Sequence, residues 1–187
     1  MYPVMLDVKG RSCVVVGGGG VALRKVEGLL SEGADVTVVS PRVIDPLKEL
    51  ADRGEISLIQ RPYRDGEVAD YALGFAATNN REVNNQVYED AVAAGVWVNV
   101  ADVPELCTFY LPARIKRGTL QVVLGSTGGA PFAVRRLRQV FDRLLGSEWS
   151  EWIEAATRFR DNIRKRTPEP AKKERAFDRF FNSTVDA

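Results

Sequence analysis

A β-branched run, Val14, Val15 and Val16, ends in four glycines, Gly17 to Gly20, and opens directly into a helical pattern. Gly17-x-Gly19-x-x-Ala22 has the spacing of a dinucleotide-binding turn, whose third small position is Gly or Ala. Each position has a physical task. Gly17 permits a tight strand-to-helix turn. Gly19 lacks a Cβ, so a pyrophosphate can approach its backbone. Ala22 lets the helix pack close to the strand. The phosphates then lie at a helix N-terminus, where free N–H groups and the helix dipole favour negative charge. Gly17, Gly19, Gly20 and Val21 are therefore the candidate phosphate contacts. A glycine-rich turn without a ligand is the competing reading, and the strand before and helix after weigh against it.

The rest of the front half repeats the alternation of strand and helix. Apolar residues at Val21, Ala22, Val26, Leu29 and Leu30 form a helical stripe over 21–32. Strands are expected over 35–40, 56–60, 71–77 and 97–100, with helices over 43–53 and 81–94. Thr78, Asn79 and Asn80 form a turn and N-cap cluster. This order predicts an α/β fold, a Rossmann-like doubly wound parallel sheet. The pattern then changes. Short strands at 109–111 and 120–124, joined by 114–118, suit a hairpin in a small α+β unit. Gly125 to Pro131 is a second glycine-rich loop. Helices follow over 132–145, 148–166 and 170–181. The expected units are 1–112, 113–146 and a helical 147–187.

Composition narrows the chemistry. The 187 residues include no histidine. That removes the commonest general base, the commonest transition-metal ligand and Ser-His hydrolase chemistry. Cys13 and Cys107 are the two cysteines, without metal-ligand spacing, so no metal site is expected. No apolar run approaches a membrane span and no signal peptide is evident, so a cytoplasmic location is expected. The net charge of +1 hides an asymmetry. Residues 1–112 carry 10 Lys+Arg against 16 Asp+Glu, and 113–187 carry 16 against 9. The basic back half suits an anionic small molecule, a nucleic acid or the acidic front unit. No helix-turn-helix or aromatic-interleaved basic patch supports nucleic acid.

The segments VGGGGVALRK (16–25), AATN (76–79), NVAD (99–102), FYLP (109–112), STGGAP (126–131) and the tail RAFDRFF (175–181) occur together and in order. In this the chain resembles the precorrin-2 dehydrogenase family, which also forms the N-terminal dehydrogenase/ferrochelatase part of sirohaem synthases. The resemblance implies NAD-dependent oxidation of precorrin-2 to sirohydrochlorin, followed in some members by insertion of ferrous iron. It also implies a Rossmann domain, a middle dimerisation unit and a helical C-terminal unit, with the active site between the first two. A homodimer is expected on physical grounds too, because two short strands and one helix are too small to close a core.

Precorrin-2 is a polyanion, with acetate and propionate arms. Arg114, Lys116, Arg117, Arg135, Arg136 and Arg138 lie in the segment expected to face it, and Arg offers paired donors to carboxylates. Arg114 and Arg135 are the substrate-binding candidates, with Ser126, Thr127 and Gly128 of the second glycine loop, where Ser126 matches the family's substrate-loop serine; on the residues alone that loop reads equally as a second turn and helix cap. Asp102 follows the fifth strand, at the sheet edge where α/β proteins bind ligands. It matches the family aspartate and is the expected catalytic proton carrier. The bland alternative is that it caps the turn before Pro104. Thr78 and Asn79 are expected to line the cofactor cleft or to cap the next helix. The second strand ends in Ser40 rather than an acid, so no carboxylate is evident for the ribose. Arg42 has the charge to accommodate a 2′-phosphate, which leaves NAD and NADP open on the residues. The resemblance implies NAD, with Ser40, Pro41 and Arg42 around the adenosine ribose. A dinucleotide-sensing regulatory module without catalysis is the alternative function.

Overall fold

Residues 2–126 and 130–185 are described by the computed structural model. The chain divides into two compact units, Met1–Leu111 and Pro112–Ala187.

The first unit is built on strands β1 (Ser12–Val16), β2 (Asp35–Val39), β3 (Ser57–Ile59), β4 (Leu73–Ala76) and β5 (Trp97–Val100), all parallel in the order β3-β2-β1-β4-β5. This is the doubly wound, Rossmann-like α/β arrangement that the alternation predicts. Successive side chains of β1 point to opposite faces. Cys13 and Val15 pack with Ala22, Val26, Leu29, Leu47 and Leu50 of helices α1 (Gly20–Leu30) and α2 (Asp45–Asp52). Val14 and Val16 pack with Val87 and Ala91 of α3 (Arg81–Ala94) on the other face. Both faces are covered, which is why β1 is apolar from Cys13 to Val16. Burying each of these valines contributes about 1.5–3 kcal/mol. No helix among the described residues is long and apolar enough to cross a membrane.

In the second unit, β6 (Ala113–Arg117) pairs antiparallel with β7 (Leu120–Leu124), from Ala113 opposite Leu124 to Arg117 opposite Leu120. Gly118 turns the hairpin at φ +57°, the left-handed geometry that two-residue hairpin loops favour. Two expectations need correction. The basic segment 114–117 is the first strand, not the connection. Phe109–Leu111 is not a strand; side chains replace its ladder. The Thr108 N–H donates to the Val98 carbonyl at 2.9 Å, and the Val98 N–H donates to Thr108 Oγ1 at 2.7 Å. Asn99 Nδ2 donates to the Phe109 carbonyl at 3.0 Å. The segment therefore runs along β5 without joining the sheet.

Helices α4 (Pro131–Leu144), α5 (Glu148–Arg166) and α6 (Pro170–Val185) complete the unit. Helix α6 runs past the expected 181, because Trp152 reaches its last turn and donates to Thr184 Oγ1 at 2.9 Å. Trp152 also packs on Phe180 and Phe181, and Phe159 stacks on Phe180 at 4.6 Å. Arg117 is not available to a substrate. It donates to the Leu145 carbonyl at 2.7 Å and to Asp142 Oδ1 at 2.8 Å, holding the C-terminus of α4.

Candidate functional site

All five strands of the first unit are parallel, so their carboxyl ends share one edge, where such sheets bind ligands. Backbone bonds fix where the loops leave that edge. The Gly17 N–H donates to the Val39 carbonyl at 2.9 Å. Those of Ala77 and Ala101 donate to Val16 and Ala76, both at 2.8 Å.

The glycine turn is the best-defined part. Gly17 has φ +134°, and a Cβ there would overlap the Ala77 carbonyl. Gly19 and Gly20 face open space, with nothing within 4 Å of a built Cβ. Gly19 is the N-cap of α1, and no side chain caps the helix. The first amides of α1 thus face a cradle that no side chain fills, and a pyrophosphate fits it. Gly18, the position the motif leaves variable, is required on other grounds. Its Cβ would overlap the Arg42 carbonyl and lie 2.8 Å from Ser40 Oγ. The Ile44 N–H donates to the Gly18 carbonyl at 2.9 Å. Ser40, Pro41 and Arg42 are thereby brought against the phosphate turn. The buried Ser40 hydroxyl donates to the Arg42 carbonyl at 2.7 Å and shapes this loop, while Pro41 and the Arg42 side chain are exposed.

Thr78 and Asn79 leave β4 at the same edge. Thr78 is engaged in the fold: its hydroxyl donates to Asn84 Oδ1 at 2.8 Å, and the Asn84 amide donates back to its carbonyl at 3.0 Å. Buried Asn84 is a structural residue that the sequence did not flag. Asn80 is the N-cap of α3, accepting from the Glu82 N–H at 2.9 Å. Asn79 is exposed.

A cleft of about 230 Å³ opens beside β5, lined among others by Val21, Arg24, Lys25, Asn99, Asp102 and Tyr110. Asp102 is exposed and has φ +61°, alone in the left-handed region among the described non-glycine residues. Such geometry is tolerated best by Asp and Asn, and it concentrates at functional sites. Its neighbours hold the turn. The Val100 N–H donates to Cys107 Sγ at 3.3 Å, and that thiol donates to the Val103 carbonyl at 3.4 Å. Tyr110 donates its hydroxyl to the Pro104 carbonyl at 2.9 Å. Burial pushes the Cys107 thiol up from its ordinary value, so it stays a neutral hydrogen-bonding group. The Asp102 carboxylate itself has no hydrogen-bond partner among the described residues. The turn-capping role is taken by Cys107 and Tyr110, which leaves the carboxylate facing the cleft.

Lys25 is a residue that the sequence reading did not single out. It shares a face of α1 with Val21, four residues earlier, a spacing from which it was findable. Burial, and then the neighbouring Arg24, lower its pKa; Cys107 and Asp102 act in the opposite sense.

Ser126 is exposed at the end of β7. Thr127 and Gly128 lie outside the described residues. Arg114 is half-buried in β6, and Arg135 is exposed on α4. Among the described residues no three His, Cys, Asp or Glu side chains form a metal cluster.

The parallel sheet, the glycine turn and the uncapped helix define a dinucleotide-binding Rossmann domain. Residues 4–113 match the family described as "Putative NAD(P)-binding", and the chain belongs to it. It is 39% identical over 164 residues to a sirohaem synthase of Nitrosococcus oceani and 41% identical over 165 residues to that of Nitrosomonas europaea. In each case 88% of this chain is covered and 35% of the relative, so the chain spans about a third of their length. Among solved structures it is similar to SirC, a precorrin-2 dehydrogenase, with TM-score 0.81 and 27% identity over 96% of this chain and 88% of that one.

Proposed function

We propose that this chain oxidises precorrin-2 to sirohydrochlorin with NAD as the oxidant. The observation that carries the reading is the pairing, within one unit, of a phosphate cradle with an unpartnered carboxylate in a strained turn. A cofactor sensor has no use for the second. The likeness to a precorrin-2 dehydrogenase over nearly the whole chain supports the substrate.

The reaction removes two hydrogens from the macrocycle, one as hydride and one as a proton. The bound nicotinamide supplies the hydride acceptor. Asp102 takes up the proton. Gly17, Gly19, Gly20 and Val21 hold the pyrophosphate, and Ser40, Pro41 and Arg42 surround the adenosine ribose. Thr78 and Asn79 shape the cleft wall. Arg114, Arg135 and the loop of Ser126, Thr127 and Gly128 are assigned to the acidic arms. The location is read as cytoplasmic, and both described cysteines are free thiols.

The test is spectroscopic. Purified protein given precorrin-2 and NAD is expected to produce sirohydrochlorin with reduced cofactor in equal amount. Absence of both changes would reject the reading. Ferrous iron added afterwards tests whether the chain also metallates its product.

The protein is also proposed to be a homodimer. Helix α4 exposes Phe132, Leu137, Val140 and Leu144, with Phe132 77% exposed, and β7 exposes Val123. A two-fold axis would cover this apolar surface with a second copy of itself. Sedimentation is expected to give a dimer at micromolar concentration, and Leu144→Glu to shift it towards monomer. A wild-type monomer at that concentration would count against the assignment.

A further inference from the structure

Lys25 is a half-buried ammonium. Among the described residues it makes no ion pair within 4 Å and no hydrogen bond. Its ring neighbour, Phe75 of β4, lies 6.0 Å from the charge, at the outer limit of a cation–π contact. The charged and titratable groups around it are Arg24 on its own helix and Asp102 and Cys107 beyond β5. Arg24 adds a second positive charge on the same cleft wall. Holding an ammonium away from water without a partner is costly, and the cost falls when an anion enters.

The size of the cleft says which kind of anion. About 230 Å³ is room for roughly seven waters at ~30 Å³ each. That is room for an acetate or propionate arm. The pyrophosphate has its own cradle at Gly19 and Gly20. Lys25 lies five residues beyond Gly20, roughly 7–8 Å along the helix at 1.5 Å per residue. Helical side chains lean towards the N-terminus, so its long stem leads back towards the sheet edge that carries Asp102.

We propose that Lys25 is a carboxylate anchor: it takes one acidic arm of the substrate into the cleft that Asp102 also lines. The inference rests on the reading of the chain as a precorrin-2 dehydrogenase. An ammonium can pair with a single carboxylate as a compact charge. Bound there, the arm receives a charge-assisted hydrogen bond, stronger than a neutral one.

The test uses the full chain, with sirohydrochlorin as the binding probe and precorrin-2 as substrate. Lys25→Gln and Lys25→Met remove the charge, and Met keeps the apolar stem against Phe75. Both are expected to weaken sirohydrochlorin binding and raise KM for precorrin-2 by roughly tenfold to hundredfold, as for a lost hydrogen bond to a charged group. NAD affinity by calorimetry and kcat are expected to stay within about twofold. Lys25→Arg is expected to recover part of the binding. If Gln fails to fold, the Met and Arg variants carry the comparison. Unchanged KM and sirohydrochlorin affinity would overturn the anchor. A fall in NAD affinity would place the lysine at the dinucleotide, and a fall in kcat alone would make it a partner of Asp102; either overturns it as well. A wild type that turns over precorrin-2 while the variants equal it removes the anchor only. A wild type that neither turns over precorrin-2 nor binds sirohydrochlorin removes both readings.

Discussion

Gly19→Asp is expected to abolish dinucleotide binding and leave the fold intact. The two halves of that outcome have separate causes. A Cβ at Gly19 meets nothing within 4 Å, so the side chain has space in the unliganded protein. That space is the one proposed for the pyrophosphate, and a carboxylate there would both occupy and repel it. Like charges at a binding surface cost several kcal/mol, so NAD affinity is expected to fall by more than about a hundredfold in calorimetry, with an unchanged circular dichroism spectrum. Gly18→Ala is the contrasting variant. Its methyl group collides with the Arg42 carbonyl, so it is expected to lower stability, by about 1–3 kcal/mol for an overpacked site. Its effect on NAD would come through displacement of the 40–42 loop. Wild-type NAD affinity in Gly19→Asp would remove the turn from the site.

Asp102→Asn is expected to bind NAD normally and to lose dehydrogenase activity by about a hundredfold or more, the usual contribution of a positioned acid–base group. Asn is the informative replacement because it tolerates the left-handed backbone as Asp does. The φ of +61° is then retained, and only the capacity to take a proton is lost. With no histidine in the chain, few other side chains can substitute. If the protein also inserts iron, that activity is expected to fall in the same variant, since metallation must remove pyrrole protons. Near wild-type turnover would return the proton to solvent or to the substrate itself.

The fold of the first unit was legible because its signals are local and strong. Apolar strands buried on two faces, glycine stops and helical stripes each reflect a short-range preference, and α3 and β5 fall at the boundaries their residues predict. The expectations differ from the structure where pairing or side-chain contacts beyond a single element decide the backbone. Phe109–Leu111 has a strand composition, yet Asn99, Thr108 and Cys107 satisfy the neighbouring backbone and leave it outside the sheet. Residues 114–117 look like a basic connection, but their pairing with 120–124 makes them a strand. Arg117 carries the charge expected to face substrate carboxylates, but it lies across the end of α4.

The sequence alone determined the dinucleotide turn and the parallel α/β class, because these follow from residue types at fixed spacing; the candidacy of Asp102 came from its place after the fifth strand together with the family resemblance. Tertiary structure alone decided which contacts each side chain around them makes. It showed that Gly18, not only Gly17, is sterically obligatory, since the obstructing atom belongs to Arg42. It showed that Thr78 is engaged with Asn84, while among the described residues the Asp102 carboxylate has no hydrogen-bond partner. It also placed Lys25 in the same cleft as Asp102. Contacts of this kind depend on distances between elements; spacing along one helix puts Lys25 on the face of Val21 but does not say that Asp102 lies across from it.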